Sequence, residues 1–356
     1  MSTDREDFLA TVEHRRPGRI LYRAGFTPDL HQRVAEHVGS ADIGSHYGFM
    51  AMTQLVPKRP GHIEPIDYLR FYEADELPEG TVISQVGAAQ IPSGYYHFFG
   101  YVSPLRKATH LRQLEEYPLN DYAQWDTSHY EQSIASARAD GRIVVGVVGH
   151  MYESAWQIRG YEEFLVDMME RPAWAQCLLD KLIEQARCKA VAAARAGADY
   201  LHCGDDVANQ NTMMFSKPMW EAFMLSRWKR VWQEVKEVNP DCRIWYHSDG
   251  NITEIVGDLI EAGVDILNPL QPESLDCEAI HRRYGDRLTL DGTIGTQSTM
   301  PFGSADEVRA RVKQVIERFG QHGGLIISPT HVLEPEVPLE NIDALVEACR
   351  QYGQFE

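Results

Sequence analysis

The stretch that decides the fold is Ala193-Ala194-Arg195-Ala196-Gly197-Ala198-Asp199-Tyr200-Leu201-His202-Cys203-Gly204-Asp205-Asp206. A helical pattern over Pro172–Ala196 stops at Gly197, which can adopt the left-handed conformation that closes a helix. A short apolar run, Asp199–Cys203, follows, and acidic residues take over at once. The same unit recurs at Ala262-Gly263-Val264-Asp265. Outward from these two points, β-rich runs fall at Arg142–Val148, Cys242–His247, Val264–Leu267, Arg287–Leu290 and Gly324–Ser328. They are apolar throughout, as expected of parallel strands covered on both faces. Helical patterns separate them: Tyr161–Met169, Lys217–Val238, Ile252–Ala262, Cys277–Tyr284, Ala305–Phe319 and Asn341–Tyr352. Such alternation over roughly 200 residues means a parallel sheet. The number of units and the absence of GxGxxG after the early strands favour a closed (β/α)8 TIM barrel over an open doubly wound sheet.

The N-terminal half is less regular. Arg19–Tyr22 reads as the first strand. Thr81–Val86 and Tyr95–Tyr101 read as strands around Ile91-Pro92-Ser93-Gly94, an excursion over the barrel mouth. The expectation is one barrel domain over residues 1–356 with an irregular N-terminal region.

Bulk properties exclude some functions. Of 356 residues, 44% are hydrophobic and 24% charged, so a large core is within reach. The net charge of -18, with no basic block, argues against nucleic acid, which needs clustered Lys and Arg. No apolar run approaches the roughly 20 residues that span a bilayer. Residues 1–7 carry no signal-peptide pattern, so a cytoplasmic location is expected. Six scattered cysteines form no CxxC and are expected to be buried thiols rather than disulfides. The helix bearing Met213, Met214, Trp220, Met224 and Trp228 reads as packing.

A barrel carries its chemistry at the C-terminal strand ends. Read in order, those ends are Gly149-His150-Met151-Tyr152-Glu153, His202-Cys203-Gly204-Asp205-Asp206, Tyr246-His247-Ser248-Asp249-Gly250-Asn251, Asn268-Pro269-Leu270-Gln271, Asp291-Gly292 and Ser328-Pro329-Thr330-His331. Capping competes as an explanation for Asp205 and Asp206, and turn formation for Asp291, Asn251 and Asn268. A hydrogen-bonded core histidine is the alternative for His247, and a buried hydrophobe for Cys203. Six polar ends in succession go beyond what capping explains.

At these ends the chain resembles the uroporphyrinogen decarboxylase superfamily, which includes corrinoid-dependent methyltransferases. The resemblance rests on Ala155-Trp156-Gln157-Ile158-Arg159-Gly160, Gly197-Ala198-Asp199-Tyr200, Gly204-Asp205-Asp206, His247-Ser248-Asp249-Gly250-Asn251, Gly263-Val264-Asp265-Ile266-Leu267-Asn268-Pro269, Gly323–Pro329 and Pro338-Leu339-Glu340-Asn341-Ile342. The decarboxylases carry an N-terminal arginine-rich segment for their polycarboxylate substrate. Arg23-Ala24-Gly25-Phe26 is only a partial echo of it, and an acidic chain suits a polyanion poorly. The resemblance therefore implies methyl transfer before decarboxylation.

That branch binds zinc through His-x-Cys and a further ligand near the last strand. Here His247 is in place, Asp249 stands where the cysteine would be, and His331 occupies the late position. A set of His247, Asp249 and His331, with Cys203 or Glu153 as a possible fourth, suits zinc or another divalent metal. The loss of a metal site is the competing reading. The implied reaction is transfer of a methyl group from a small methylated substrate, a methoxylated aromatic for instance, to a corrinoid carried by a separate protein. This chain has no Asp-x-His-x-x-Gly corrinoid signature. Asp205, Asp206 and Glu153 are the candidate acid–base groups. Tyr246, Asn251, Asn268, Gln210 and Asp291 are candidate substrate contacts, and Tyr95, Tyr96, Phe98, Phe99 and Tyr101 a candidate apolar wall or a packed hairpin. The alternative is a metal-free carboxy-lyase like uroporphyrinogen decarboxylase, and a binding protein without catalysis is a third reading. A homodimer is left open.

Overall fold

The strands of the computed structural model, which describes residues 2–73, 76–95 and 98–355, run in chain order as β1 (Leu21–Tyr22), β2 (Met52–Leu55), β3 (Val82–Ile83), β4 (Ala89–Tyr95), β5 (Phe98–Val102), β6 (Ile143–His150), β7 (Tyr200–Gly204), β8 (Arg243–His247), β9 (Ile266–Asn268), β10 (Thr289–Asp291) and β11 (Leu325–Ile327). Eight of them form one sheet in the order β1-β11-β10-β9-β8-β7-β6-β2. Every pairing in it is parallel. From β6 to β11 each strand lies beside the next in sequence, with a helix between most successive pairs.

This sheet is strongly curled. Laid flat, eight strands would separate the edges by roughly 34 Å at the usual inter-strand spacing. Yet Leu21 of β1, Ile326 of β11, Ile266 of β9, Trp245 of β8, Tyr200 of β7 and Ile143 of β6 share one buried cluster, with Met52 of β2 packed against it. The Met50 N–H donates to the Tyr22 carbonyl at 3.0 Å, joining the chain before β2 to β1 at the opposite edge. A second, larger apolar cluster fills the layer between the sheet and the surrounding helices. The two clusters arise because successive strand residues point to opposite faces.

The helix Asp4–Val12 plugs the N-terminal end of the strands. Phe8 enters the inner cluster and meets Tyr200 at 5.3 Å between ring centroids. Arg5 pairs with Asp199 at 2.9 Å just before β7, and the Gly324 N–H donates to Thr11 O just before β11. With one end plugged, the open end is the C-terminal one.

Three sequence expectations need correction. The strand β2 was not anticipated: Met52-Thr53-Gln54-Leu55 is short, half polar and only partly buried, so it lacks the apolar run of its neighbours. Ile91-Pro92-Ser93-Gly94 is not a turn between strands but part of β4, which pairs antiparallel with β3 and β5 in a separate sheet. Pro92 lies past the two-residue β3, where that side of β4 has no ladder to disrupt. The helix expected over Lys217–Val238 is interrupted by a π-helical turn at Glu221–Leu225. Trp220, Met224, Trp228 and Trp232 are buried there, in keeping with packing. Tyr96 lies outside the described residues. All six cysteines are free. Among the described residues no helix is long and apolar enough to cross a membrane.

Candidate functional site

At the open end, β7 and β8 alternate strictly. His202, Trp245 and His247 line a cavity of about 390 Å³ inside the sheet. Cys203 and Tyr246 belong to the outer layer. Gly204 lets the two strand ends close up, since a Cβ there would stand 2.3 Å from the His247 carbonyl oxygen. Asp206 then follows β7 into the same cavity, which His150, Asn268 and His331 also line.

The centre of the arrangement is His247. Its Nδ1 bonds the side-chain oxygen of Asn268 at 2.7 Å. With that nitrogen as the donor, Nε2 carries the lone pair. Nε2 lies 3.6 Å from Asp206 Oδ1 and 3.9 Å from Asp249 Oδ1. Ligand atoms of Asp206, His247 and Asp249 all lie within 4.8 Å of one another. The Asp249 N–H donates to Asp206 Oδ1 at 2.9 Å, which fixes the two loops together. Burial pushes the Asp249 carboxyl up and the Asp206 charge adds to this, against the pull of His247 and His331. Among the described residues neither carboxylate is paired with a lysine or arginine. Two acids without a lysine or arginine partner, converging with one imidazole lone pair, fit a divalent ion with nitrogen and oxygen preference. His331 lines the same cavity but stands outside this group of three. Asp206, which the sequence offered as an acid–base group, thus stands with His247 and Asp249 in the group that could hold an ion.

The other acids have different work. Asp205 is wholly buried and accepts from the Met151 and Tyr152 N–H groups at 2.7 Å and from Trp228 Nε1 at 2.5 Å. It holds the start of the helix Tyr152–Arg159 and lies behind the cavity wall, so it is a positioning residue and not a substrate contact. Burial pushes its carboxyl well above the usual range, and nearby Glu153 adds to this. Glu153 Oε1 accepts from His150 Nδ1 at 2.7 Å and from the Asp206 N–H at 2.8 Å. Burial raises Glu153, but the His150 charge and hydrogen bond outweigh it and the carboxyl ends up lowered. On His150, burial works against the charged form and Glu153 overcomes it, bringing the imidazole to about 9. His150 thus presents a protonated ring to the cavity, 5.8 Å from the His247 ring. Burial, with His150 and His247 nearby, drives His202 down to about 3, so it is a neutral wall beside Trp245.

Several expected contacts are not brought together. Cys203 faces the helices, donates weakly to Trp245 O at 3.5 Å, and has its thiol pushed up by burial. Tyr246 packs edge-on against Trp232 at 5.7 Å and does not reach the cavity. Asp291 is fully buried beneath the cavity, where it takes Arg23 at 2.7 Å, Trp245 Nε1 at 2.8 Å and Ser328 Oγ at 2.7 Å. Asn251 shapes its own turn through Thr253, and Gln210 bonds Gln297 at 2.7 Å on the rim. Asn268 does line the cavity, as the support for His247. His150 and His202 were not singled out, and Arg23 only as part of an arginine segment; the two-residue alternation of β7 finds His202, whereas His150 enters the cavity through a register shift of β6 between Val147 and Gly149 that the sequence pattern does not reveal.

Comparison with known proteins agrees with this architecture. The family model described as uroporphyrinogen decarboxylase (URO-D) matches residues 104–352. The methylcobamide:CoM methyltransferase MtaA of Methanosarcina barkeri is 30% identical over 175 residues, 49% of this chain and 48% of that protein. The uroporphyrinogen decarboxylase of Pelodictyon phaeoclathratiforme is 25% identical over 187 residues, 52% of this chain and 51% of that protein. Each match thus spans about half the length of the relative. A solved methyltransferase from Methanosarcina mazei superposes with a TM-score of 0.67 at 19% identity, covering 99% of both chains, a likeness of fold. A curled eight-stranded parallel sheet, a polar cluster at its C-terminal end and a family match over most of the chain lead to one conclusion: this protein belongs to the uroporphyrinogen decarboxylase (URO-D) family.

Proposed function

We propose that the protein is a metal-assisted methyltransferase on one closed (β/α)8 barrel domain, moving a methyl group from a small methylated substrate to a corrinoid protein. The observation that carries this reading is the convergence of Asp206, His247 and Asp249 within 4.8 Å, with His247 Nε2 turned toward both acids. Those three residues would hold zinc or a similar ion, with His331 lining the same cavity. When bound, such an ion supplies Lewis acidity toward the oxygen that loses its methyl group. A nitrogen and oxygen donor set is harder than one with thiolate, which favours an oxygen-bearing substrate such as a methoxylated aromatic. The oxygen left behind needs a proton, and His150 holds one at Nε2 because Glu153 occupies Nδ1. Trp245 and His202 wall the cavity with a ring edge and a neutral imidazole, and so limit water around the transferring group.

The likeness to MtaA supports the class of reaction, and the two acids without a lysine or arginine partner support the metal. The corrinoid would come from a partner protein docking at the barrel mouth. The test is methyl transfer from a panel of methoxylated aromatics to cob(I)alamin, followed by the absorbance of methylcobalamin, with zinc-loaded protein. Transfer that disappears in His247→Ala supports the proposal. No transfer across the panel, with carbon dioxide released from a carboxylated pyrrole instead, would establish the carboxy-lyase alternative.

A further inference from the structure

His150 separates the metal cluster from a second cavity of about 220 Å³. Gly149 and His150 at the end of β6 form one side of it, with Ser154 and Gln157 from the helix Tyr152–Arg159. Lys189, from the long helix Pro172–Ala196, reaches in from the other. Among the described residues no aspartate or glutamate lines the space.

Lys189 has no ion pair and no hydrogen-bond acceptor among the described residues; its one recorded contact is the Tyr122 ring, 4.9 Å from Nζ. Other half-buried lysines here are satisfied. Lys181, eight residues earlier on the same helix, donates to the carbonyls of Leu114, Glu115 and Tyr117 at 3.0, 2.7 and 2.6 Å. Lys236 pairs with Asp265 at 3.1 Å. An ammonium taken from water without a partner is costly, and burial alone brings Lys189 down to about 8. The face of Tyr122 favours the charged form.

Gly149 borders the space beside the ammonium. Its φ is +96°, and a Cβ there would stand 3.7 Å from Lys189 Nζ. Gln85 on the same wall uses its side-chain oxygen to accept from Tyr122 at 3.0 Å, so its amide N–H groups remain as donors. One unpaired cation beside a His150 already paired with Glu153, amide donors, and room for about seven waters at ~30 Å³ each describe a receptor for one small monoanion.

We propose that Lys189 anchors the carboxylate or sulfonate of a small organic acid in this cavity. The ammonium gains the partner it lacks, and the anion gains a charge-assisted hydrogen bond in a partly dry site. Its organic tail would lie toward His150, the residue the two cavities share. Binding is read without catalysis, so the outcome stands apart from the methyl-transfer reading.

The experiment titrates acetate, methanesulfonate and inorganic phosphate into the full-length protein by calorimetry at pH 7, with ionic strength held by chloride. Saturable binding of acetate or methanesulfonate is expected. Lys189→Met should weaken it at least ~10-fold, as loss of a charged hydrogen bond implies, and Lys189→Arg should retain it. The Met variant removes no partnered group, so its melting temperature should not fall. As a measurement on unmutated sequence, ¹³C-dimethylation of lysines should show the Lys189 resonance shifting saturably with acetate. Equal affinity in wild type and Lys189→Met, a Lys189 resonance blind to acetate, or a preference for phosphate over both organic acids would each overturn the proposal.

Discussion

His247 can offer Nε2 to a cation because Asn268 occupies Nδ1 at 2.7 Å. Removing that oxygen frees the ring to rotate and to change tautomer. Asn268→Ala is therefore expected to lower metal affinity ~10–100-fold, the usual effect of losing a ligand's supporting partner, while His247→Ala abolishes binding. Competition with a chromogenic chelator measures both, and unchanged affinity in Asn268→Ala would remove the orienting role. Cys203→Ala should leave metal affinity unaltered, because its sulfur sits on the outer face of β7. The sequence already pointed to His247 and Asp249, two apart beyond one strand, as side chains sharing a direction. Asp206 was legible as a polar strand-end residue, but its role as third ligand was not: that depends on Gly204 drawing the ends of β7 and β8 together. Cys203 and Tyr246 misled because chemical type was weighed above the alternation that turns each of them outward.

Among elements, the join between the helix Tyr152–Arg159 and the strand ends depends on Asp205. Its three donors are two backbone N–H groups at that helix's start and Trp228 Nε1, three residues beyond the π-helical turn. Asp205→Asn retains one oxygen and sets an amide N–H against the indole N–H. A stability loss of about 1–3 kcal/mol is expected from the orphaned buried groups, read as a lower urea midpoint with an unchanged slope. Trp228→Phe leaves one Asp205 oxygen unpaired and a void where the buried indole packed, so it too should lower the midpoint. If Asp205→Asn unfolded at the wild-type midpoint, the carboxylate would not be holding this join. At this scale the second half of the chain was readable because buried parallel strands are apolar throughout and glycine ends the helices before β7 and β9. The strand β2 was not, since its four half-polar residues need only satisfy one ladder, with β6.

Across the whole molecule, the balance of buried charge has a measurable pH signature. Lys189 is held at about 8, below the ordinary lysine value of 10.5, by burial. The unfolded chain therefore binds more protons between those values, and stability rises with pH through that window. The contribution is fully present above the unfolded value and is lost as pH falls through about 8. Lys189→Met lacks it, so the difference in stability between variant and wild type should narrow as pH rises from 8 toward 10.5; a constant difference would mean that Lys189 is solvated. The curled sheet and its polar C-terminal end follow from strand order and face alternation and were largely foreseeable, whereas the helix Asp4–Val12 that plugs the N-terminal end was not read from the sequence. The pairing of partners within the cavity was not, because it depends on sub-ångström placement of loops. The proposed metal site rests on Asp206, His247 and Asp249. The most direct measurement is elemental analysis of the purified protein before and after incubation with zinc and desalting. The account predicts about one divalent ion per chain, absent from His247→Ala. A protein that stays metal-free after zinc exposure, or a His247→Ala variant that retains the ion, would contradict it.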